Sequence, residues 1–297
     1  MRLKSLICII LLVSSATAAK PKRQAPPNLP DPSPEEQLES QLHYQQGTVT
    51  LKDGLATLNV PKTYRYLDPQ QTEKLLVEGW GNPEGSKTLG MLLPAGISPF
   101  DIEKAWGVVI TYREDGYVKD NEAASIDYND LLKQIKEATE EENKDRRQKG
   151  FDPIEVVGWA EPPHYDGAAH KLYWAKELRF GDSPENTLNY DIRVLGRRGV
   201  LSLNAVASMS QISDVRESMK DVLGLVEFTP GNRYTDFHSG MDKVAEYGVG
   251  ALILGGIAVK TGLLKGLLVM LLAAKKFIII GLVAAAGFVR KLFWRRS

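Results

Sequence analysis

The C-terminal end of the chain constrains it most. Residues 247–289 form a 43-residue apolar stretch whose only charges are Lys260, Lys265, Lys275 and Lys276. A helix needs about 20 apolar residues to cross a bilayer, so the stretch holds one crossing or two. A lysine at mid-bilayer costs about 2.5–3.5 kcal/mol on insertion scales, which keeps Lys275 and Lys276 away from that depth. With two crossings, the closing "RKLFWRRS" returns to the exterior, against the preference of basic residues for the cytoplasmic side. With one firm span and an interfacial remainder it stays inside, and this arrangement is preferred. Leu252, Leu267, Leu271, Ile279 and Val283 are the expected anchor residues, and membrane lipid is their partner. Gly248, Gly250, Gly255, Gly256 and residues 284–287 either permit close helix contact or reflect ordinary membrane-helix composition.

The other end reads as a secretory leader. "MRLK" is basic, "LICIILLV" is apolar but too short for an ordinary span, and "ATA" places small residues for cleavage. The single cysteine, Cys8, lies inside this leader. A mature chain cut after residue 18 therefore has neither a disulfide nor a thiol nucleophile. Six of residues 20–34 are proline, which predicts an extended spacer. The expected divisions are a signal peptide at 1–18, a Pro-rich spacer at 19–45, an exported domain at 46–240 and a transmembrane region with a basic end at 241–297. The formal charge of zero hides an asymmetry: residues 19–246 hold 27 basic and 37 acidic residues. An acidic body argues against a nucleic-acid partner, which needs a basic footprint.

Within the body, apolar and polar residues alternate around Asp53-Gly54, which predicts a hairpin. Asp68 as N-cap and Pro69 at the first helical position open a short helix. Residues 127–150 read as a helix with one apolar stripe (Leu131, Leu132, Ile135 and Ala138) and a charged second half projecting into solvent. "PIEVVGWAEPP" and "HKLYWAKELRF" are strands about an Asp166-Gly167 turn, with Pro162 and Pro163 ending the first. "LNYDIRVLG" and "GVLSLNAVAS" form a further hairpin, and a helix follows with Val215, Met219, Val222 and Leu223 at helical spacing. The fold class expected is α+β: a mainly antiparallel sheet with packed helices, followed by a membrane-helical tail.

The segments "GWAEPPHYD", "HKLYWAKEL", "LNYDIRVLGRRGVL" and "GNRYTDF", with "DGYVKD" and "DYNDLL", closely resemble a bacterial family catalogued as domain of unknown function 2167. That resemblance spans roughly residues 45–295 and implies export and membrane attachment. It implies no activity and brings no catalytic residues. The closing strand–strand–helix also resembles the α/β/α sandwich of photosystem oxygen-evolving-subunit proteins.

Residues 158–178 concentrate the chemistry. His164, Asp166 and Glu161 are the candidate catalytic residues, but with His170 their spacing matches no established zinc signature. No metal and no cofactor are expected. "HSG" at 238–240 is no nucleophile elbow, and "GNPEGSK" lacks phosphate-loop spacing. Trp159, Tyr165 and Trp174 are the candidate contact surface for an envelope protein partner. The preferred reading is a binding or scaffolding module on the outer face of the bacterial inner membrane, its main domain exported to the periplasm. An envelope hydrolase or metal-dependent enzyme and an accessory transporter subunit remain open beside it.

Overall fold

A computed structural model describes residues 32–255, except 83, 86 and 102. Leu267, Leu271, Ile279 and Val283, like the leader, lie outside the described residues. Among the described residues no helix is long and apolar enough to cross a membrane.

The first helix, α1 (Pro34–Ser40), lies inside the segment expected as spacer. Ser33 and Glu36 form a capping box there, and Pro34 occupies a first-turn position where its missing N–H costs nothing. Leu42 then buries itself and Gln45 bridges to Tyr66, so this end of the expected spacer joins the body. The hairpin of β1 (Gly47–Leu51) and β2 (Ala56–Val60) turns through Lys52, Asp53 and Gly54, all at positive φ. After β3 (Tyr64–Leu67), the Asp68 carboxylate accepts the Gln71 N–H at 2.8 Å and opens α2 (Pro69–Lys74), which a π-helical turn over Leu75–Gly79 extends. Then follow β4 (Gly90–Pro94), β5 (Gly107–Arg113), β6 (Tyr117–Lys119) and α3 (Tyr128–Gln148). Four long strands succeed them: β7 (Ile154–Asp166), β8 (Lys171–Phe180), β9 (Thr187–Leu195) and β10 (Val200–Ser208). The chain continues through α4 (Ile212–Leu225), β11 (Val226–Phe228), β12 (Val244–Gly248) and α5 (Val249–Ile253).

An antiparallel sheet of seven strands, ordered β3-β4-β5-β10-β9-β8-β7, organises the molecule. One face packs against α4 and the small β1-β2-β11 sheet, burying Leu58, Ile110, Ile192, Leu203, Val215 and Met219. The opposite face carries two apolar clusters. One joins Leu172, Trp174 and Leu178 of β8 to Leu131 and Ile135 of α3 and to Val249, Leu252 and Ile253 of α5. The other joins Met91, Leu93 and Val109 to Leu67, Leu75 and Trp80. The period of two along β8 sends Leu172, Trp174 and Leu178 to one core and Ala175 to the other.

Several expectations change here. The folded body does not end at 240: β12 pairs in parallel with β6, and α5 buries Val249, Leu252 and Ile253. Leu252, expected as an anchor residue, is a core residue at 2% exposure. The charged half of α3 does not simply project into solvent. Asn143 clasps Ile154, donating to its carbonyl at 2.8 Å and accepting its N–H at 2.7 Å, while Arg146 Nε donates to the Asp152 carbonyl. Pro162 and Pro163 do not end β7 either. As the edge strand it can shift register around them, between Glu161 and His164, without losing an outer hydrogen-bond partner.

Candidate functional site

The end of β7 faces residues 120–128 across an open cleft of about 420 Å³, lined by Asp120, Asn121, Ile126, Tyr128, His164 and Tyr165. β6 delivers Asp120, and the 3-10 turn Ala123–Ser125 with the Asp127 cap of α3 forms the opposing wall. Tyr165 donates its hydroxyl proton to Asp120 Oδ2 at 2.6 Å. His170, at φ 51° in the β7–β8 turn, places Nδ1 at 3.3 Å from that hydroxyl and 3.5 Å from the carboxylate. Behind them runs an aromatic stack. Phe237 lies on Tyr117 (3.9 Å between centroids), Tyr117 on Tyr234 (4.4 Å), and Tyr234 beside His170 (4.2 Å). Tyr234 is held by donating to the Val118 carbonyl at 2.9 Å.

Burial works to raise the Asp120 carboxyl, but the Tyr165 hydroxyl, a backbone hydrogen bond and the nearby His170 outweigh it and hold it below its ordinary value. The Tyr165 hydroxyl moves the other way, raised first by burial and then by its bond to Asp120. At neutral pH the cleft therefore presents a fixed carboxylate beside aromatic faces. Such an arrangement suits recognition of a hydrogen-bond-donating or cationic group.

Each candidate catalytic residue has a structural engagement of its own. Glu161 is engaged by Arg216 of α4 at 3.1 Å. Asp166 caps the turn, accepting the Ala168 and Ala169 N–H groups at 2.9 and 3.0 Å. His164 stands exposed on the cleft rim with its ring 5.1 Å from that of Tyr173. Among the described residues no group of three His, Cys, Asp or Glu could hold a metal ion. The contact-surface candidates separate too. Trp174 is 1% exposed and belongs to the core, because its strand position points under α3; this corrects its assignment to a surface. Trp159 is half-buried and donates Nε1 to the Tyr128 carbonyl at 3.1 Å, tying α3 to β7. Of the three aromatic contact candidates, only Tyr165 lines the cleft.

A family model described as "Protein of unknown function (DUF2167)" matches residues 43–286. The chain belongs to this family. The segments that carry the resemblance supply the cluster: Tyr117 and Asp120 from "DGYVKD", Tyr165 from "GWAEPPHYD", His170 from "HKLYWAKEL", and Tyr234 and Phe237 from "GNRYTDF". No curated protein matches the chain. Solved structures with partial likeness include cyanobacterial PsbP from Synechocystis sp. PCC 6803, at 8% identity and TM-score 0.35, covering 63% of this chain and 92% of that one. LpqN of Mycobacterium tuberculosis, described as involved in cell envelope biogenesis, is 16% identical at TM-score 0.33, covering 68% and 99%. The Ran-binding protein Mog1p of Saccharomyces cerevisiae is 9% identical at TM-score 0.35, covering 66% and 100%.

Sequence reasoning weighs His170 only as a metal ligand beside His164, and does not single out Asp120 and Tyr234 as site residues. They lie far apart in the chain, and the only signal for them is that polar and aromatic residues recur inside the family-like segments.

Proposed function

We propose that this protein is a membrane-tethered module of the bacterial envelope. Its exported domain binds a protein partner through the cleft between β7 and residues 120–128. The observation that carries the reading is the cleft itself: an open cavity in which Asp120 is kept ionised and held in place by Tyr165 and His170. The leader pattern, the spacer and the apolar tail supply the tether, and the basic end of the tail favours the exported orientation. The docking surface is thereby moved from the tryptophans of the hairpin to its edge. A partner that places an ammonium, guanidinium or amide donor against Asp120, flanked by Tyr128 and Tyr165, meets the chemistry presented there.

The test is co-purification of the full chain from native membranes, with mass-spectrometric identification, for the natural sequence and for Asp120→Asn and Tyr128→Ala variants shown to be folded. A stoichiometric partner retained by the natural sequence and depleted by either variant supports the reading. A partner held equally by all three places the contact elsewhere. Absence of any partner removes the scaffold reading.

A further inference from the structure

Strand register gathers charge on the sheet face between the two apolar clusters. Lys176 of β8 stands opposite Asn189, Trp174 opposite Asp191, and Asp191 opposite Asn204 of β10. Asp191, Asn204, Lys176 and Arg193 are all buried, between 1% and 8% exposed. Asp191 Oδ1 accepts from Asn204 Nδ2 at 2.9 Å and forms an ion pair with Arg193 Nη1 at 2.9 Å, while Nη1 donates to the Ile192 carbonyl at 3.1 Å. Lys176 Nζ lies 3.8 Å from Oδ2, beyond hydrogen-bond reach. The Arg193 guanidinium sits 5.0 Å over the Trp174 ring.

This set is not closed. It carries two cations against one carboxylate. Trp174 Nε1, Asp191 Oδ2 and Asn204 Oδ1 are buried without hydrogen-bond partners. Buried polar groups are nearly always paired, and buried charge is costly unless compensated. Lys171, on the same strand and equally buried, shows what closure looks like: its Nζ donates to the Leu223 carbonyl and to Glu227 Oε1, both at 2.7 Å, and to the Val226 carbonyl at 3.3 Å. The same sheet face continues from Arg193 through Ser202 to Thr111, both partly exposed.

We propose that this patch is a binding site for one anionic group, a carboxylate or a phosphate, held by Lys176, Arg193 and Trp174 Nε1. Its charge offsets the surplus cation, and its oxygens accept the unpaired N–H groups. A protonated oxygen of the ligand, or an accompanying water, serves Asp191 Oδ2 and Asn204 Oδ1. Burial pushes the Lys176 ammonium below its ordinary value, Asp191 opposing and Arg193 adding to the shift, and a bound anion reverses that direction. The site shares no residue with the cleft, so it stands or falls separately from the proposed partner binding.

Isothermal titration calorimetry on the full chain in detergent micelles tests it, with inorganic phosphate in one arm and acetate in the other at constant ionic strength. Saturable binding is expected in at least one arm, and the arm that responds identifies the source of the group. Lys176→Met and Trp174→Phe are each expected to weaken it roughly tenfold or more, since each removes a donor to a charged acceptor. Absence of saturable binding to the natural sequence overturns the proposal, as does unchanged affinity in folded Lys176→Met. If Lys176→Met fails to fold, unchanged affinity in Trp174→Phe overturns it instead.

Discussion

Lys171 and Lys176 lie on one strand and are buried to the same degree, 6% and 5% exposed, yet they end in opposite situations. Lys171 faces the β11 side, where the end of α4 offers the Leu223 carbonyl and Glu227 reaches back over it. Lys176 faces the other way, into a patch whose only carboxylate already serves Arg193 and Asn204. Burial alone therefore does not tell what a polar residue is doing. What separates the two lysines is whether the neighbouring elements bring enough acceptors. Lys171 ties elements together, whereas Lys176 belongs to a set still short of a partner.

The comparison is tested most severely at Asp191. Asp191→Ala leaves Lys176 and Arg193 buried without a counter-charge, and denaturant unfolding should report a loss of about 3–5 kcal/mol. A loss below about 1 kcal/mol would mean that the patch is wetter than its burial indicates. At Lys171 a smaller effect is expected. Lys171→Met strips the Leu223 and Val226 carbonyls of their donor and should cost about 1–3 kcal/mol. Lys176→Met breaks no hydrogen bond and should lie within about 1 kcal/mol of the natural sequence. Equal costs at the two positions would erase the distinction.

Alkaline titration sharpens it. The folded-state value of Lys176 is lowered from 10.5, so the unfolded chain binds more protons through that window. Lys176 thus contributes increasing stability as pH rises from its lowered value to about 10.5, and Lys176→Met lacks that rise. Raised tyrosines such as Tyr66, pushed up to about 12 by burial, act in the opposite sense above pH 10 and are common to both proteins. The stability difference between the two proteins therefore isolates the lysine.

At the rim the effects are smaller again. Tyr165→Phe removes the donor to Asp120, whose side chain is 29% exposed, and should cost about 1 kcal/mol. Because the folded Asp120 lies below 3.8, its contribution is full above that pH and fades as pH falls through the folded value. Tyr165→Phe should accordingly flatten the acid limb of the stability profile. The smallest effect belongs to the Glu155–Arg179 pair, about half exposed on both sides, where Glu155→Ala should change stability by less than about 0.5 kcal/mol.

Several local elements are legible in the residues themselves. The β1–β2 hairpin follows from Asp53-Gly54, and the α2 start follows from Asp68 and Pro69. The β9–β10 hairpin and the stripe of α4 follow from apolar periodicity. Elsewhere the same local signals point the wrong way. Asn143 and Arg146 read as solvated because their partners, Ile154 and Asp152, come beside α3 only after the chain turns back at Gly150, φ 73°. Trp174 reads as a contact residue because strand alternation states that it has a face without stating which face is covered. Leu252 reads as a membrane anchor because an apolar helix end looks alike whether lipid or protein receives it. The cleft is half legible: Tyr165 stands out within its segment, but Asp120 and His170 meet it only through the pairing of β7 with β8 and the course of β6.

What the sequence by itself determined was the local and the gross: caps, turns, strand alternation, the α+β class, family membership and the apolar character of the tail. These depend on short-range sterics, hydrogen bonding between near neighbours and summed hydrophobicity, all of which composition and spacing record. Only the tertiary structure decided which faces are buried, how far the folded body extends toward the tail, and which polar residues meet. Those outcomes depend on contacts between residues far apart in the chain. Asp120 with Tyr165, and Lys176 with Asp191, become neighbours only when the sheet is assembled.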